Sequence, residues 1–261
     1  MFMLFKLALR NVLGAGLRTW LNVGALSFGF VMVIWMQGLY QGMIEQMTTA
    51  TVDADYGGGQ YWQEVYDPFD PLTLDDAHAV IPETLQQNIN QGDITPVLIA
   101  SGSVFPDGRA QPASLRGVDP AQTITNVTTA NIKPNSDLIP VMLGERMAKN
   151  IGQTVGDILT VRWRDVDGTF DATDVEIVAI MSTLVPNIDT GQIWFAIDDL
   201  QAMLGTPNEA TYLITKKGYR VTTDQPGFVF RDLDYLLQDE VAIYESKKAG
   251  GSILYVILMS M

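Results

Sequence analysis

The sequence predicts an α+β extracytoplasmic domain carried on an N-terminal transmembrane helix. Two observations predict it: a single long uncharged apolar run near the N-terminus, and, beyond it, runs of β-branched residues alternating with short capped helical stretches. The apolar run is Thr19 to Ile44, and at about 1.5 Å per residue it reaches on the order of 39 Å, enough to cross a hydrocarbon core of about 30 Å with some tilt. Trp20 stands near one end, and Trp35 and Tyr40 near the other, where amphipathic rings prefer the headgroup level. Lys6, Arg10 and Arg18 precede the run with no acid among them, whereas Glu45, Asp53 and Asp55 follow it. The positive-inside bias therefore puts the N-terminus in the cytoplasm and everything from Glu45 onward outside. A cleaved signal peptide is the competing reading, but its apolar core would be about 7 to 15 residues with a small-residue site close behind, and this run is longer.

The chain has 261 residues, so removing anchor and leader leaves roughly 200, the size of one module or two small subdomains. Lys plus Arg is 16 against 30 Asp plus Glu, and without the three leader cations the external part carries about −17. Such a surface repels phosphates, which argues against nucleic acid and anionic headgroups as direct partners. There is no cysteine, so no disulfide can form and stability must come from the core and from neighbours.

Residues 1–18 read as an amphipathic leader on the cytoplasmic face, with Lys6 and Arg10 four apart and Phe2, Phe5, Leu9 and Val12 mainly on another side. Within the anchor, residues 19–44, Ala25 with Gly29 and Gly38 with Gly42 are small residues four apart, a spacing that lets another helix approach closely. Asn22, Ser27, Gln37 and Gln41 add polar atoms that prefer a protein neighbour to lipid. The external core is expected over residues 45–227. It opens with a strand over Thr48–Tyr66, interrupted at Gly57, Gly58 and Gly59 by a loop or bulge. A helix starts at Thr73 with a capping box to Asp76 and is kinked or restarted by Pro82. Ile94–Phe105 and Ala110–Val118 form a hairpin through the turn Pro106-Asp107-Gly108, and residues 119–140 are loop-like. A short strand from Val141 leads into a helix over Gly144–Asn150 closed by Gly152. Strands follow at Ile158–Trp163, Val175–Met181 and Ile193–Ile197, then a short helix capped by Asp198 and ended by Gly205, then a strand at Thr211–Thr215. A stalk helix is expected over residues 228–248, with Phe230, Leu233, Leu237, Val241 and Tyr244 on one stripe, and Gly250 and Gly251 as a joint. The apolar residues 249–261 begin a second transmembrane helix, about half a bilayer long, so the chain is expected to continue.

Little in the sequence points to catalysis. His78 is the sole histidine, which leaves no His-based metal cluster, and no G-x-S-x-G element accompanies it for a serine triad. The acid pairs Asp75-Asp76 and Asp198-Asp199 stand at expected helix starts, where they complement the macrodipole. There is no Walker A pattern, so ATP hydrolysis belongs to another polypeptide, and no cofactor is expected.

The segment LALRNVLGAGLRTWLNVGALSFGFVMVIWMQGLYQGM resembles the opening of MacB/FtsX-like ABC transporter permeases, as do LRGVDP at 115 to 120 and MLGERMAKNIGQTVGDILTV at 142 to 161. VEIVAIMST and IWFAIDDLQAML at 193 to 204 continue the same order of parts. The resemblance implies a MacB-type periplasmic core of two subdomains, a transport subunit in the inner membrane that is not itself an enzyme, and action by mechanotransmission. It also implies a cytoplasmic ABC ATPase partner, a second permease copy in a homo- or heterodimer, and a lipoprotein or other extracytoplasmic substrate. The lipoprotein-releasing LolC/LolE type and export permeases are the leading subfamilies. A membrane-tethered interaction protein without transport activity is the alternative. Topology is testable directly: a cysteine at Ser136 should be labelled by a membrane-impermeant reagent in intact spheroplasts, whereas labelling only after lysis would reverse the orientation.

Overall fold

The computed structural model describes residues 6, 10, 14, 16–183, 185–220 and 225–238. The chain divides into two compact units, of which residues Met47–Glu240 are the larger. Helix α1, Leu17–Thr51, has 35 residues, and its only buried residue is Thr51. It is long and apolar enough to cross a membrane. The helix continues past Ile44 because extending an existing helix costs far less than starting one. It ends in a five-residue π-helical turn, Val52–Tyr56, in which the Gly57 N–H donates to the Val52 carbonyl at 2.8 Å. Of the stretch expected as strand, only β1, Gln60–Gln63, is extended.

The folded unit is built on a nine-stranded mixed sheet. Its strands are β1, β3 (Ile94–Val104), β4 (Gln111–Val118), β5 (Ile139–Gly144), β6 (Ile158–Arg164), β7 (Phe170–Met181), β8 (Gln192–Ala196), β10 (Tyr212–Thr215) and β11 (Phe228–Arg231). Two residues each from β2, Ala79–Val80, and β9, Glu209–Ala210, make a separate small pair. The order is β11-β1-β10-β3-β4-β8-β5-β7-β6, and β6 pairs back onto β3, so six strands close into a circuit. Its interior is filled by alternate residues: Leu98 and Val104 of β3, Leu115 of β4, Val141 and Leu143 of β5, Val161 of β6, Ile177 of β7 and Phe195 of β8. Each such side chain contributes about 1.5 to 3 kcal/mol by leaving water. Gly102 sits where β3 meets both β4 and β6, and a Cβ there would lie 2.9 Å from Leu115 Cγ.

Helices close the ends of this core. Helix α3, Glu145–Ile151, packs Met147 and Ile151 onto it and stops at Gly152, whose left-handed φ of 70° suits glycine. Helix α5, Ile197–Leu204, packs Leu200 and Leu204 and stops likewise at Gly205. Two further helices are α2, Glu83–Asn90, and the single turn α4, Pro186–Asp189. The hairpin β3–β4 has the expected turn, with Asp107 and Gly108 both at positive φ. One ladder runs through β10, β3 and β4, within the compact unit Met47–Glu240.

Four local expectations are corrected. The helix expected from Thr73 is replaced by a 3₁₀ turn, Pro71–Thr73, and by β2; the helix starts only at Glu83, with extended Pro82 before it. Asp198 does not cap α5, because Ala196 holds the N-cap position, and Asp198 with Asp199 occupies the first turn. Asp75 and Asp76 lie in a turn and not at a helix start. The stalk does not begin at Phe228: residues 228–231 form β11, because β1 offers an unpaired edge and Phe230 meets Tyr61 edge-to-face at 5.0 Å. Residues 233–238 are helical, with Asp232 Oδ1 accepting from the Tyr235 N–H at 2.8 Å, and the rest of the expected stalk lies outside the described residues.

The loop before β5 is tethered at Glu176 of β7, whose carboxylate accepts from Ser136 Oγ at 2.5 Å and from Asn135 Nδ2 at 3.0 Å. The Ser136 bond, then the Asn135 bond, hold this carboxyl below the usual carboxylate range. A depressed folded value gives stability that is present above the unfolded value of about 4.3 and is lost as pH falls through the folded value. Glu176→Gln should therefore lower the urea midpoint at pH 7, and the gap to the parent should close in acid; a gap independent of pH would contradict the assignment.

Candidate functional site

The segment that follows α1 meets the sheet at a buried charge. Arg116 lies on β4, on the face opposite Leu115, and only 3% of it is exposed. Its Nη2 donates to Asp55 Oδ1 in the π-turn and to the Tyr212 hydroxyl on β10, and that hydroxyl lies 3.3 Å from the same Asp55 oxygen. The guanidinium carbon lies 4.6 Å from the Trp194 ring centroid and 5.6 Å from that of Tyr212, with Tyr66 stacked on Tyr212 at 5.7 Å. Arg116 is thus held by a carboxylate, a phenol and two aromatic faces.

The electrostatics follow from burial. Burial alone would push the Arg116 guanidinium down, but the charge of Asp55 holds it above the ordinary arginine value. Tyr212 and Tyr66 are raised, chiefly by burial, with the charge of Asp55 adding to both. The cation therefore stays charged and the phenols stay protonated, so Tyr212 can donate to Asp55 while it accepts from Arg116. Among the described residues, Arg116 Nε and Trp194 Nε1 are buried without a hydrogen-bond partner.

Three glycines make the approach possible. Gly57 and Gly59 have φ of 58° and 126°, a region most residues avoid. The Gly58 N–H donates to the Thr215 carbonyl at 2.7 Å, and a Cβ on Gly58 would fall 2.3 Å from the Lys216 carbonyl oxygen. Around this contact, Gln60 Nε2 donates to the Asp55 carbonyl at 2.9 Å, the Asn126 N–H donates to the Asp53 carbonyl at 2.7 Å, and Lys217 pairs with Asp53.

The residues singled out from sequence lie elsewhere. Ala25, Gly29, Gly38 and Gly42 are on α1, and a Cβ at Gly38 or Gly42 meets nothing within 4 Å. Lys6 and Arg10 are helical and exposed, and Arg18 is the second residue of α1. Gly250 and Gly251 lie outside the described residues. His78 directly precedes β2, and its Nδ1 lies 2.5 Å from Glu209 Oε2 and its Nε2 3.2 Å from the Asp75 carbonyl. Among the described residues, no three His, Asp or Glu side chains are grouped to hold a metal ion. Sequence reasoning missed Arg116 and its partners altogether; the readable signal was Gly57-Gly58-Gly59, close behind two acids at the end of an apolar helix.

A helix long and apolar enough to cross a membrane turns through glycine into a mixed α+β domain. The chain belongs to the family of the MacB-like periplasmic core domain, whose family model matches residues 19–225. Similar solved structures include the extracellular domain of the noncanonic ABC-type transporter YknZ from Gram-positive bacteria, at 13% identity and TM-score 0.38, covering 62% of this chain and 83% of that one. Another is the periplasmic region of MacB from Actinobacillus actinomycetemcomitans, at 13% identity and TM-score 0.38, covering 56% and 74%. A domain of a putative permease protein from Porphyromonas gingivalis matches at 14% identity and TM-score 0.32, covering 49% and 57%. No curated protein sequence matches the chain.

The two halves of the ion pair should not be equivalent. Asp55→Asn strands a guanidinium whose side chain is 4% exposed, whereas Arg116→Met leaves a carboxylate that keeps 22% exposure. The first should cost about 3 kcal/mol or more and the second clearly less, read as urea midpoints; equal losses would show that the pair is not effectively buried.

Proposed function

We propose that this chain is a permease subunit of an ABC transporter acting by mechanotransmission. In this reading a separate cytoplasmic ATPase moves the membrane helices, and their motion performs extracytoplasmic work such as lipoprotein release or export. Membership of the MacB-like periplasmic core family supports the reading. The observation that carries it is the Asp55–Arg116 pair, because a load-transmitting helix needs a rigid attachment and the segment directly after α1 has one. The leader, residues 1–18, lies in the cytoplasm, the domain lies outside the inner membrane, and the helix starting at residue 233 leads by way of Gly250 and Gly251 to a second span over 249–261. The faces Ala25 with Gly29 and Gly38 with Gly42 serve as packing surfaces for other permease helices, those of a second copy among them.

The test uses the double variant Asp55→Asn with Arg116→Met, which removes the charge pair without stranding either charge. It is reconstituted with the ATPase, and a fluorophore on a cysteine at the exposed Lys133 reports on the domain. In the parent, ATP with vanadate should change the probe signal. In the double variant ATP hydrolysis should continue while the signal change is lost. A variant that responds like the parent would remove this attachment from the coupling path.

A further inference from the structure

Two segments frame the folded unit Met47–Glu240 along the chain: the π-turn Val52–Tyr56 near its start and the helical residues 233–238 near its end. Strand alternation gives them a common floor. Gln60 and Trp62 of β1 share a face, and the ladders set Trp62 beside Tyr212 of β10 and Gln60 beside Arg231 of β11. Val97 of β3 and Val118 of β4 continue that face as far as Arg116. Asp55 reaches it at Arg116 and Tyr212, and Tyr235 reaches it at Trp62 and Arg231.

Two routes of contact run from the Asp55 end, and both arrive at Trp62. The first passes through rings: the Arg116 guanidinium lies over Tyr212, Tyr212 stacks with Tyr66, and Tyr66 meets Trp62 edge-to-face with centroids 5.2 Å apart. The second is hydrogen-bonded. Gln60, 3% exposed, donates from Nε2 to the Asp55 carbonyl at 2.9 Å and accepts from Trp62 Nε1 through Oε1 at 2.6 Å. Beyond Trp62 the contacts pass to the helix. The indole meets Tyr235 edge-to-face at 5.9 Å, and the Arg231 guanidinium carbon lies 4.4 Å from the Tyr235 centroid and 5.9 Å from that of Trp62. Asp232 fixes the same helical turn, its Oδ1 accepting from the Tyr235 N–H and its carbonyl from the Leu236 N–H at 3.0 Å, and Leu236 is buried. An indole has only two soft torsions, and here its N–H and its ring are engaged from both sides, so a shift at either end displaces it.

We propose that Trp62 couples the segment after α1 to the helix that begins at residue 233, so that loosening either one loosens the other. Such a coupling is reciprocal by thermodynamic necessity. It deepens the transport reading, in which both segments bear load, and rests on that reading for its purpose. The coupling itself is measured without ATP or an ATPase, so the two can fail separately.

The experiment follows hydrogen exchange by mass spectrometry in the full chain in nanodiscs, reading residues 52–58, residues 232–238 and, as a reference for global opening, β6. Tyr235→Ala changes a side chain that is 45% exposed, where folding is not at risk, and should speed exchange at 52–58 about fivefold with β6 unchanged. The double variant Asp55→Asn with Arg116→Met should speed exchange at 232–238 by a similar factor. In a Trp62→Leu background, adding either change should have less than about a twofold effect on the far segment. Trp62→Phe, which keeps a ring but loses the Nε1 donor, repeats the comparison with milder repacking. Exchange at 52–58 that stays at the parent rate in Tyr235→Ala, a rise that β6 shares in that variant, or a Tyr235→Ala effect undiminished in both Trp62 backgrounds would overturn the proposal.

Discussion

A guanidinium enclosed by protein has to be answered by an anion in the right place, and in this fold that requirement fixes how the chain leaves α1. Arg116 is carried into the interior by β4, where the alternation that sends Leu115 into the barrel core sends it to the opposite face. Its anion does not come from the same strand, whose neighbours on that face are Ser114 and Val118. It comes from the π-turn, in which five residues close a bond that an α-helix would close with four. Asp55 is directed at Arg116 and Asp53 at Lys217, while Ala54 between them packs into the apolar layer with Val97, Val118 and Trp194. A buried ion pair contributes little net stability, since desolvation offsets most of its attraction. Its effect is on specificity: any other docking of this turn leaves a charge buried and unpaired.

The glycines and the strand order serve the same arrangement. The turn can reach Arg116 only if the chain between Tyr56 and Gln60 lies directly on β10, and side chains at those positions would collide with the Thr215 and Lys216 carbonyls. Strand β1 then enters between β10 and β11, with Thr215 Oγ1 donating to the Gly59 carbonyl at 2.9 Å. Strand β3 is long because it carries two sheets, the β10-β1-β11 extension on its first residues and the closing β6 on its last. Between them, residues 98–101 have no ladder partner on that edge.

How much of this could be read beforehand depended on the range of the interaction that decided each element. The β3–β4 hairpin, α3 with Gly152, α5 with Gly205 and the β6–β7 pair were legible because turn glycines and β-branched runs act within about ten residues. Phe228 to Arg231 misled, since Phe230 and Leu233 fit a helical stripe while Phe228 and Phe230 fit an alternating strand, and the edge of β1, far away in sequence, decided between them. Leu74, Ala77 and Ile81 misled in the same way: Ala77 and Ile81 are buried, yet without a helix, and Ile81 packs beside Leu85 and Phe228. Arg116 was illegible for a stronger reason. A single arginine in a strand looks like a solvent-facing residue, and nothing local indicates that Asp55, Tyr66, Trp194 and Tyr212 gather around it.

The acidic surface gives this buried pair a further distinction. Lys149–Glu145, Arg164–Asp75 and Lys216–Asp93 join side chains that are each at least a third exposed, so solvent and salt weaken them. With a Debye length of about 8 Å at physiological ionic strength, repulsion among the many surface carboxylates is damped along with these attractions. Arg116 and Asp55 are in direct contact, and protein encloses the cation, so there is no intervening solvent for ions to enter. Raising salt therefore relaxes the acidic surface and loosens its ion pairs while leaving the attachment of the π-turn in force. A domain of this charge can then change its surface interactions with ionic conditions without changing how the segment after its membrane helix is held.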